Sequence, residues 1–160
     1  MDSLYTERCY INPFKKADID AAIPLFTDER VREFLGGVIT EDAAREKLNK
    51  WVVPRSDSLY FSVALKSGKF IGIITITPYL DTDKKEISYL FLPEYWGKGY
   101  AYESCEEIIK YFRQTLKFDS LVAETQKKNS RSRKLLERLG FSLVEEAERF
   151  GEIQCVYKLI

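Results

Sequence analysis

A short glycine-containing stretch in the middle of the chain has the spacing of an anion-binding loop. Gly97 and Gly99 follow a strand-like run that Pro93 ends, and a long helical pattern begins directly after them. Small residues let the backbone approach an anion, and unpaired N–H groups at a helix start point at it. Lys98 adds positive charge. The stretch is neither a Walker A loop nor Gly-x-Gly-x-x-Gly, because Tyr102 stands where the third glycine belongs, and a simple turn is the competing interpretation.

The composition restricts which chemistry this loop can serve. Histidine is absent, which removes the usual general base and every Ser-His-Asp or Cys-His arrangement. Basic and acidic residues number 25 each, which argues against nucleic-acid or membrane-surface binding through bulk charge. Three cysteines without CxxC spacing indicate reduced thiols in a cytoplasmic protein. We therefore expect carboxylates, hydroxyls, backbone amides or a cofactor to do the chemistry, without a metal.

The helical and strand patterns along the chain predict a mixed sheet flanked by helices, an α/β (α+β) fold in one domain spanning residues 1–160. Strand patterns cover residues 7–13, 60–65, 70–77, 86–92, 120–125, 141–146 and 154–159, which gives a mostly antiparallel sheet of about six to seven strands. Helical patterns cover residues 16–26, a short segment through 34, 40–51, a long stretch after the loop, and 129–139. A polar turn is expected at residues 81–85.

Two longer motifs resemble the signatures of the Gcn5-related N-acetyltransferase (GNAT) superfamily. In the first, residues 96–101 (Trp-Gly-Lys-Gly-Tyr-Ala) stand where the superfamily has Gln/Arg-x-x-Gly-x-Gly/Ala. In the second, residues 129–132 (Asn-Ser-Arg-Ser) open a helix that ends in Gly140-Phe141. With residues 26–31, the likeness covers nearly the whole chain and is most similar to the branch of the ribosomal-protein N-terminal acetyltransferases RimJ and RimL.

The resemblance implies a GNAT fold with splayed central strands and acetyl-CoA as the acetyl donor. In such enzymes, free backbone groups of a splayed strand pair with the pantetheine arm, and the amides of the glycine loop hold the pyrophosphate. The positions that would bind the cofactor here are Leu90, Phe91, Leu92, Trp96, Gly97, Lys98, Gly99, Tyr100, Ala101, Tyr102, Asn129 and Ser132. An ordinary core strand also explains residues 87–91, and both interpretations can hold because the cofactor contact is through the backbone.

Glu86 is the candidate general base, because it begins the strand on which the family often places a carboxylate. The alternation of a strand puts it on the same face as Ser88 and Leu90. It would take the ammonium proton of an amine either directly or through water. A solvated carboxylate at a strand end is the alternative interpretation, and Glu33 and Glu124 are weaker candidates for the base.

Ser132 is the candidate general acid for the departing thiolate. Many family members use a tyrosine that would fall at Leu136, and in the RimJ/RimL-like branch a serine stands where Ser132 is. Ser132 lies one helical turn after Asn129 on the inward face of its helix. A packing serine bonded to its own backbone is the alternative. The oxyanion of the reaction is expected to bind a strand amide near Leu90.

The activity implied by the resemblance is direct transfer of an acetyl group from acetyl-CoA to a primary amine. The acceptor would be a protein N-terminal amine or a small amine such as a polyamine, an amino acid or a drug, and Glu29, Glu33 and Glu152 indicate attraction for a cation. A GNAT-like module that binds CoA and senses without catalysis is the alternative, which the missing tyrosine favours. We expect a cytoplasmic protein without nucleic-acid or membrane partners, and family members often form homodimers.

Overall fold

An eight-stranded sheet runs through the computed structural model, which describes residues 2–80 and 82–160. The strands are β1 (Leu4–Tyr5), β2 (Cys9–Pro13), β3 (Leu59–Leu65), β4 (Phe70–Pro78), β5 (Lys85–Phe91), β6 (Leu121–Gln126), β7 (Ser142–Arg149) and β8 (Glu152–Leu159). Their spatial order is β1-β2-β3-β4-β5-β6-β8-β7, and only β5 and β6 are parallel neighbours in the described sheet. The predicted mixed, mostly antiparallel α/β architecture is confirmed. Asp81, the first residue of the predicted polar turn, lies outside the described residues.

The sheet has one strand more than the sequence predicts, because the short β1 adds to its edge. Leu4 and Tyr5 pair with Ile11 and Tyr10 of β2. A two-residue strand is too short to show the period-two alternation that identifies strands in a sequence. The strand is therefore visible only from its pairing.

Helices cover both faces of the sheet. They are α1 (Ile19–Ala22), α2 (Pro24–Thr27), α3 (Glu29–Arg32), α4 (Glu41–Trp51), α5 (Tyr100–Leu116) and α6 (Ser130–Arg138), with short 3₁₀ turns at Lys16–Asp18 and Pro93–Tyr95. The single helix predicted over residues 16–26 is wrong: a turn at Ile23 separates two helices, because Pro24 has no N–H to donate and fits the first turn of a new helix. The predicted cap of α4 is confirmed, since the Thr40 hydroxyl accepts a hydrogen bond from the Ala43 amide at 3.1 Å.

Two apolar clusters hold these layers together, and β5 contributes to both. Ile87 and Phe91 belong to the cluster that includes Cys105 of α5 and Leu136 of α6. Leu90 packs against the second cluster, which contains residues of α1, α2 and α4 and Ile73 of β4. Alternate side chains of β5 therefore face different helical layers, as the pleat of a strand requires.

The central strands β5 and β6 separate shortly after they meet. Their parallel pairing consists of Lys85 with Leu121 and Glu86 with Val122. Beyond Glu86, β5 remains paired with β4, whereas β6 remains paired with β8 as far as Gln126. The expected splay of the central strands is therefore present, and it leaves one backbone edge of β5 without a neighbouring strand.

Candidate active site

The gap between β5 and β6 opens into a cavity of about 720 Å³. One side is lined by residues 87–91 of β5 and by residues 123–125 of β6. Trp96, Ala101 and the start of α6 line a second side, and residues of α2, α3 and α4 line a third. The volume lies within the range of cofactor and small-ligand sites.

The glycine loop lies at one end of this cavity in a conformation that side chains disfavour. Gly97 has φ +73° and Gly99, which caps α5, has φ +85°, both in the left-handed region. The first-turn amides of α5 have no acceptor within the helix and are available to an anion. The Trp96 indole donates a hydrogen bond to the Phe91 carbonyl at 2.8 Å, which fixes the loop to the end of β5.

A basic depression of about 550 Å³ lies on the other side of the loop. Its cations are Arg8, Lys98 and Arg138, and the carboxylates of Glu7 and Glu103 also line it. Arg8 forms an ion pair with Glu103, and its guanidinium lies 4.2 Å above the centre of the Tyr100 ring. Three cations beside exposed helix-start amides make this depression suited to phosphate groups.

Two hydroxyl groups meet on the face of β5 that contacts α5 and α6. The Asn129 side chain caps α6 by accepting a hydrogen bond from the Ser132 amide at 3.2 Å. The Ser132 hydroxyl shares a hydrogen bond of 2.6 Å with the hydroxyl of Tyr89. Burial raises the pKa of Tyr89 above its usual value, so this phenol stays protonated at neutral pH.

Carboxylates gather around the start of the gap. Burial, followed by the negative charge of Glu124, raises the pKa of Glu86 to about 7, although the Glu124 amide and the charge of Arg149 lower it in part. Glu124 forms an ion pair with Arg149 and accepts a hydrogen bond from the Tyr79 hydroxyl at 2.9 Å. Glu86 is therefore a carboxylate that exchanges its proton near neutral pH, next to a second carboxylate that is paired with an arginine.

The structure distributes the residues proposed for cofactor binding over the two hollows. Those that line the large cavity are Leu90, Phe91, Trp96, Ala101, Asn129 and Ser132. Those that line the basic depression are Gly97, Lys98, Gly99 and Tyr102. Leu92 packs against the α1–α4 cluster and Tyr100 against the other cluster, so neither side chain lines a hollow. Glu86 neighbours the cavity without lining it, whereas Glu124 and Glu33 line it.

Three residues near the site were not identified from the sequence. Tyr89 is partly buried in the core, and the strand pattern accounts for it as a packing residue. Arg149 and Arg8 lie near the two ends of the chain, far in sequence from the residues they contact. In the sequence, only the alternation of β5 indicates that Tyr89 faces α5 and α6.

The third side of the cavity carries more positive than negative charge. Its charged residues are Arg30, Arg32, Lys47 and Glu33. Of the three acidic residues that suggested attraction for a cation, Glu29 and Glu152 do not line the cavity. This wall is therefore positively charged overall, whereas the acidic residues in the sequence suggested a site that attracts a cation.

Residues 2–80 and 82–160 contain neither a cluster of metal-ligating side chains nor a helix that could span a membrane. No group of three or more His, Cys, Asp or Glu side chains in that part of the chain could hold a metal ion. Nor does any helix there combine the length and the apolar character needed to cross a bilayer.

Comparison with known proteins gives the same fold and a family. Residues 8–142 match the family model described as an acetyltransferase (GNAT) domain. The uncharacterized N-acetyltransferase YnaD of Bacillus subtilis is 28% identical over 137 residues, which are 84% of this chain and 79% of that protein. Ribosomal-protein-S5-alanine acetyltransferase from Vibrio fischeri superimposes with a TM-score of 0.84 at 20% identity, over 100% of this chain and 97% of that one. Spermidine N-acetyltransferase from Vibrio cholerae, solved with CoA and spermine, gives 0.84 at 16% identity, over 96% of each chain.

Proposed function

Because the chain belongs to the acetyltransferase (GNAT) domain family, we propose that it acetylates a primary amine by direct transfer within a ternary complex. It is an acetyl-CoA-dependent acetyltransferase. The observation that carries the proposed mechanism is the gap between β5 and β6, which has carboxylates near its start and a pair of hydroxyls farther along. In this reaction the amine nitrogen attacks the thioester carbonyl carbon, the carbon–sulfur bond breaks, and CoA leaves as the thiol.

In the proposed complex, the pantetheine arm of acetyl-CoA lies along the unpaired edge of β5. Backbone groups at Leu90 and Phe91 would bond to it as a neighbouring strand would. The amides at Gly97 to Tyr102 would hold the pyrophosphate at the start of α5, with Lys98 and Arg8 supplying positive charge. The thioester would then lie beside Ser132, and an amide near Leu90 would stabilise the oxyanion.

We propose that Glu86 removes the ammonium proton of the acceptor. A pKa of about 7 lets the carboxylate accept a proton at neutral pH and return it to solvent. Because Glu86 adjoins the cavity without lining it, the proton would pass through a water molecule near Glu124. The ion pair with Arg149 holds Glu124 in place beside this proton path.

We propose that Ser132 donates a hydrogen bond to the sulfur as the carbon–sulfur bond breaks. Tyr89 would support it by donating to the Ser132 oxygen across their 2.6 Å contact. A neutral, buried phenol is suited to this role because it remains a donor throughout the working pH range. The pair would take the place of the single tyrosine expected at Leu136.

For the acceptor we propose a protein N-terminal amine or a small amine. One structural neighbour is named for the alanine of ribosomal protein S5 and another for spermidine, and both acceptors present a primary amine. The likeness to the RimJ/RimL branch supports the first class. The three cysteines are free and buried, which supports a reducing compartment such as the cytoplasm as the place of action.

Isothermal titration with acetyl-CoA, followed by a thiol-release assay with a panel of amines and N-terminal peptides, tests the proposal. We expect saturable binding at micromolar protein and CoA release only when an accepted amine is present. Absence of acetyl-CoA binding would refute the cofactor site. Binding without transfer to any amine or peptide would leave a CoA-binding protein and refute the proposed reaction.

A further inference from the structure

The third side of the cavity contains a cluster of aromatic rings, here called the aromatic floor. Trp51 stacks on Tyr60 with ring centres 4.7 Å apart and planes 12° from parallel. Phe26 meets the Trp51 ring edge-on at 5.9 Å, and all three rings line the cavity. Val31 and Phe34 extend this apolar surface. Such a floor suits an apolar or aromatic group of an acceptor.

Three cations stand on the same wall, and their charges are compensated to different degrees. Arg30 forms an ion pair with Asp28 at 2.7 Å. Arg32 donates hydrogen bonds to the carbonyls of Leu35 and Gly37, each at 2.9 Å, and these acceptors are neutral. Lys47 has no carboxylate within 4.0 Å among the residues that the structure describes. Among the described residues, neither Arg32 nor Lys47 is therefore paired with a carboxylate at the cavity.

Arg32 and Lys47 both lie near the ring of Phe26. Their charged groups stand 5.8 and 5.4 Å from the centre of the same ring, that of Phe26. Although Lys47 is exposed to solvent, partial desolvation and then the positive charge of Arg32 lower its pKa. Two like charges beside one cavity repel each other, and an anion bound near both would offset that repulsion.

We propose that Arg32 and Lys47 bind a carboxylate of the acceptor while the aromatic floor holds its apolar part. The inference rests on the proposed acetyl transfer and narrows it to one substrate class. That class is a primary amine carrying both an anionic and an apolar group, as in an apolar amino acid or the N-terminus of an acidic peptide. A polyamine is disfavoured, because its remaining ammonium groups would face two cations.

Matched pairs of acceptors test the charge requirement. The pairs are L-phenylalanine with L-phenylalaninamide, and the dipeptide amides Phe-Glu and Phe-Gln, which place the carboxylate at different distances from the amine. Spermidine is the cationic comparison. We expect kcat/KM to be about tenfold or more higher for the anionic member of at least one pair, since a charge-assisted contact has about that effect. The pair that shows the preference distinguishes a free amino acid from a peptide.

Substitution of Lys47 tests whether the preference for anionic acceptors comes from this side of the cavity. Lys47→Met should reduce the ratio of kcat/KM for the anionic to the neutral member of the pair about tenfold and leave the dissociation constant of acetyl-CoA unchanged. Lys50→Met is the matched control, because Lys50 is an exposed lysine of the same helix that does not line the cavity. It should retain the full preference.

The outcomes distinguish failure of the proposed acceptor class from failure of the proposed acetyl transfer. Equal or better turnover of neutral amines or spermidine in the wild type would overturn the inference and leave acetyl transfer intact. A preference that survives Lys47→Met, or a weakened affinity for acetyl-CoA in that variant, would also overturn it. If acetyl-CoA binds and no acceptor is acetylated, the proposed function fails, and the inference fails with it.

Discussion

The two faces of β5 carry different chemistry, although they belong to one strand of 7 residues. On one face, Glu86 lies among charged groups and exchanges its proton near pH 7. On the other face, Tyr89 contacts Ser132 through neutral hydroxyls that do not titrate near neutrality. The alternation of a strand thus separates a group whose charge depends on pH from a pair whose charge does not. The pH dependence of catalysis should belong to the first face alone.

Replacing Glu86 tests the titrating face and should have the largest effect. For Glu86→Gln we expect kcat/KM at pH 8 to fall about 100-fold, because a positioned base is lost. The rise of the wild-type rate with pH through about 7 should disappear, since the base must lose its proton to act. Glu46→Gln, an exposed carboxylate on α4, is the control for the pH–rate profile. An unaltered profile in Glu86→Gln would move the base to another group, with Glu124 the first to examine.

Removing a hydroxyl tests the other face and should lower the rate without moving the pH profile. For Ser132→Ala we expect kcat to fall about 30-fold, with the acetyl-CoA dissociation constant within about threefold of wild type. Tyr89→Phe should have a smaller effect of about tenfold, because it acts through Ser132. Ser67→Ala, in the turn between β3 and β4, serves as the control. A shifted pH optimum in either variant would contradict the division between the faces.

A substitution in the glycine loop should affect both faces equally, because it acts before the chemistry. Gly99 has φ +85°, and an added Cβ would lie 3.1 Å from the Arg8 guanidinium. Gly99→Val should weaken acetyl-CoA binding about tenfold, because the free loop would relieve strain of about 1–3 kcal/mol by leaving the left-handed conformation that binding requires. Gly68→Val is a matched control, since Gly68 has φ +91° in a turn with no neighbour within 4 Å. Titration calorimetry measures the acetyl-CoA affinity of both variants. Equal losses of affinity would contradict the assignment of the Gly99 loop to cofactor binding.

The smallest expected effect concerns stability. The folded-state pKa of Glu86, about 7, exceeds the value of 4.5 for an unperturbed glutamate, so the folded protein binds more protons between these values. The unfolding free energy should therefore fall as pH rises from about 4.5 to about 7. Glu86→Gln should be more stable than wild type by about 1 kcal/mol at pH 8 and equal to it at pH 4. Urea unfolding at both pH values measures this, and equal stability at pH 8 would show that burial does not penalise the charge.

The conformation of the glycine loop and the cap of α6 could be predicted from the sequence because local chemistry determines them. Gly97 and Gly99 adopt positive φ values that glycine favours, and Asn129 caps the helix that presents Ser132. Each of these features involves neighbours only a few residues apart. A sequence motif records such features directly.

The charged groups around the rest of the cavity could not be predicted because their positions depend on tertiary packing. Arg32 and Lys47 come from different helices, and both lie near the ring of Phe26. Arg149 reaches Glu124 from another strand. Neither contact has a periodic pattern or a fixed spacing in the sequence. The same limit explains why Tyr89 resembles an ordinary core residue.

The short pairing between β5 and β6 has a consequence for how readily the protein unfolds. Two residue pairs are the direct ladder between a five-stranded half of the described sheet and a three-stranded half. A pantetheine chain bonded along β5 would act as a replacement strand across that seam. Ligand at a hundred times its dissociation constant stabilises the folded state by about 2.7 kcal/mol. The resistance of this enzyme to unfolding and proteolysis would then rise and fall with the acetyl-CoA supply of the cell.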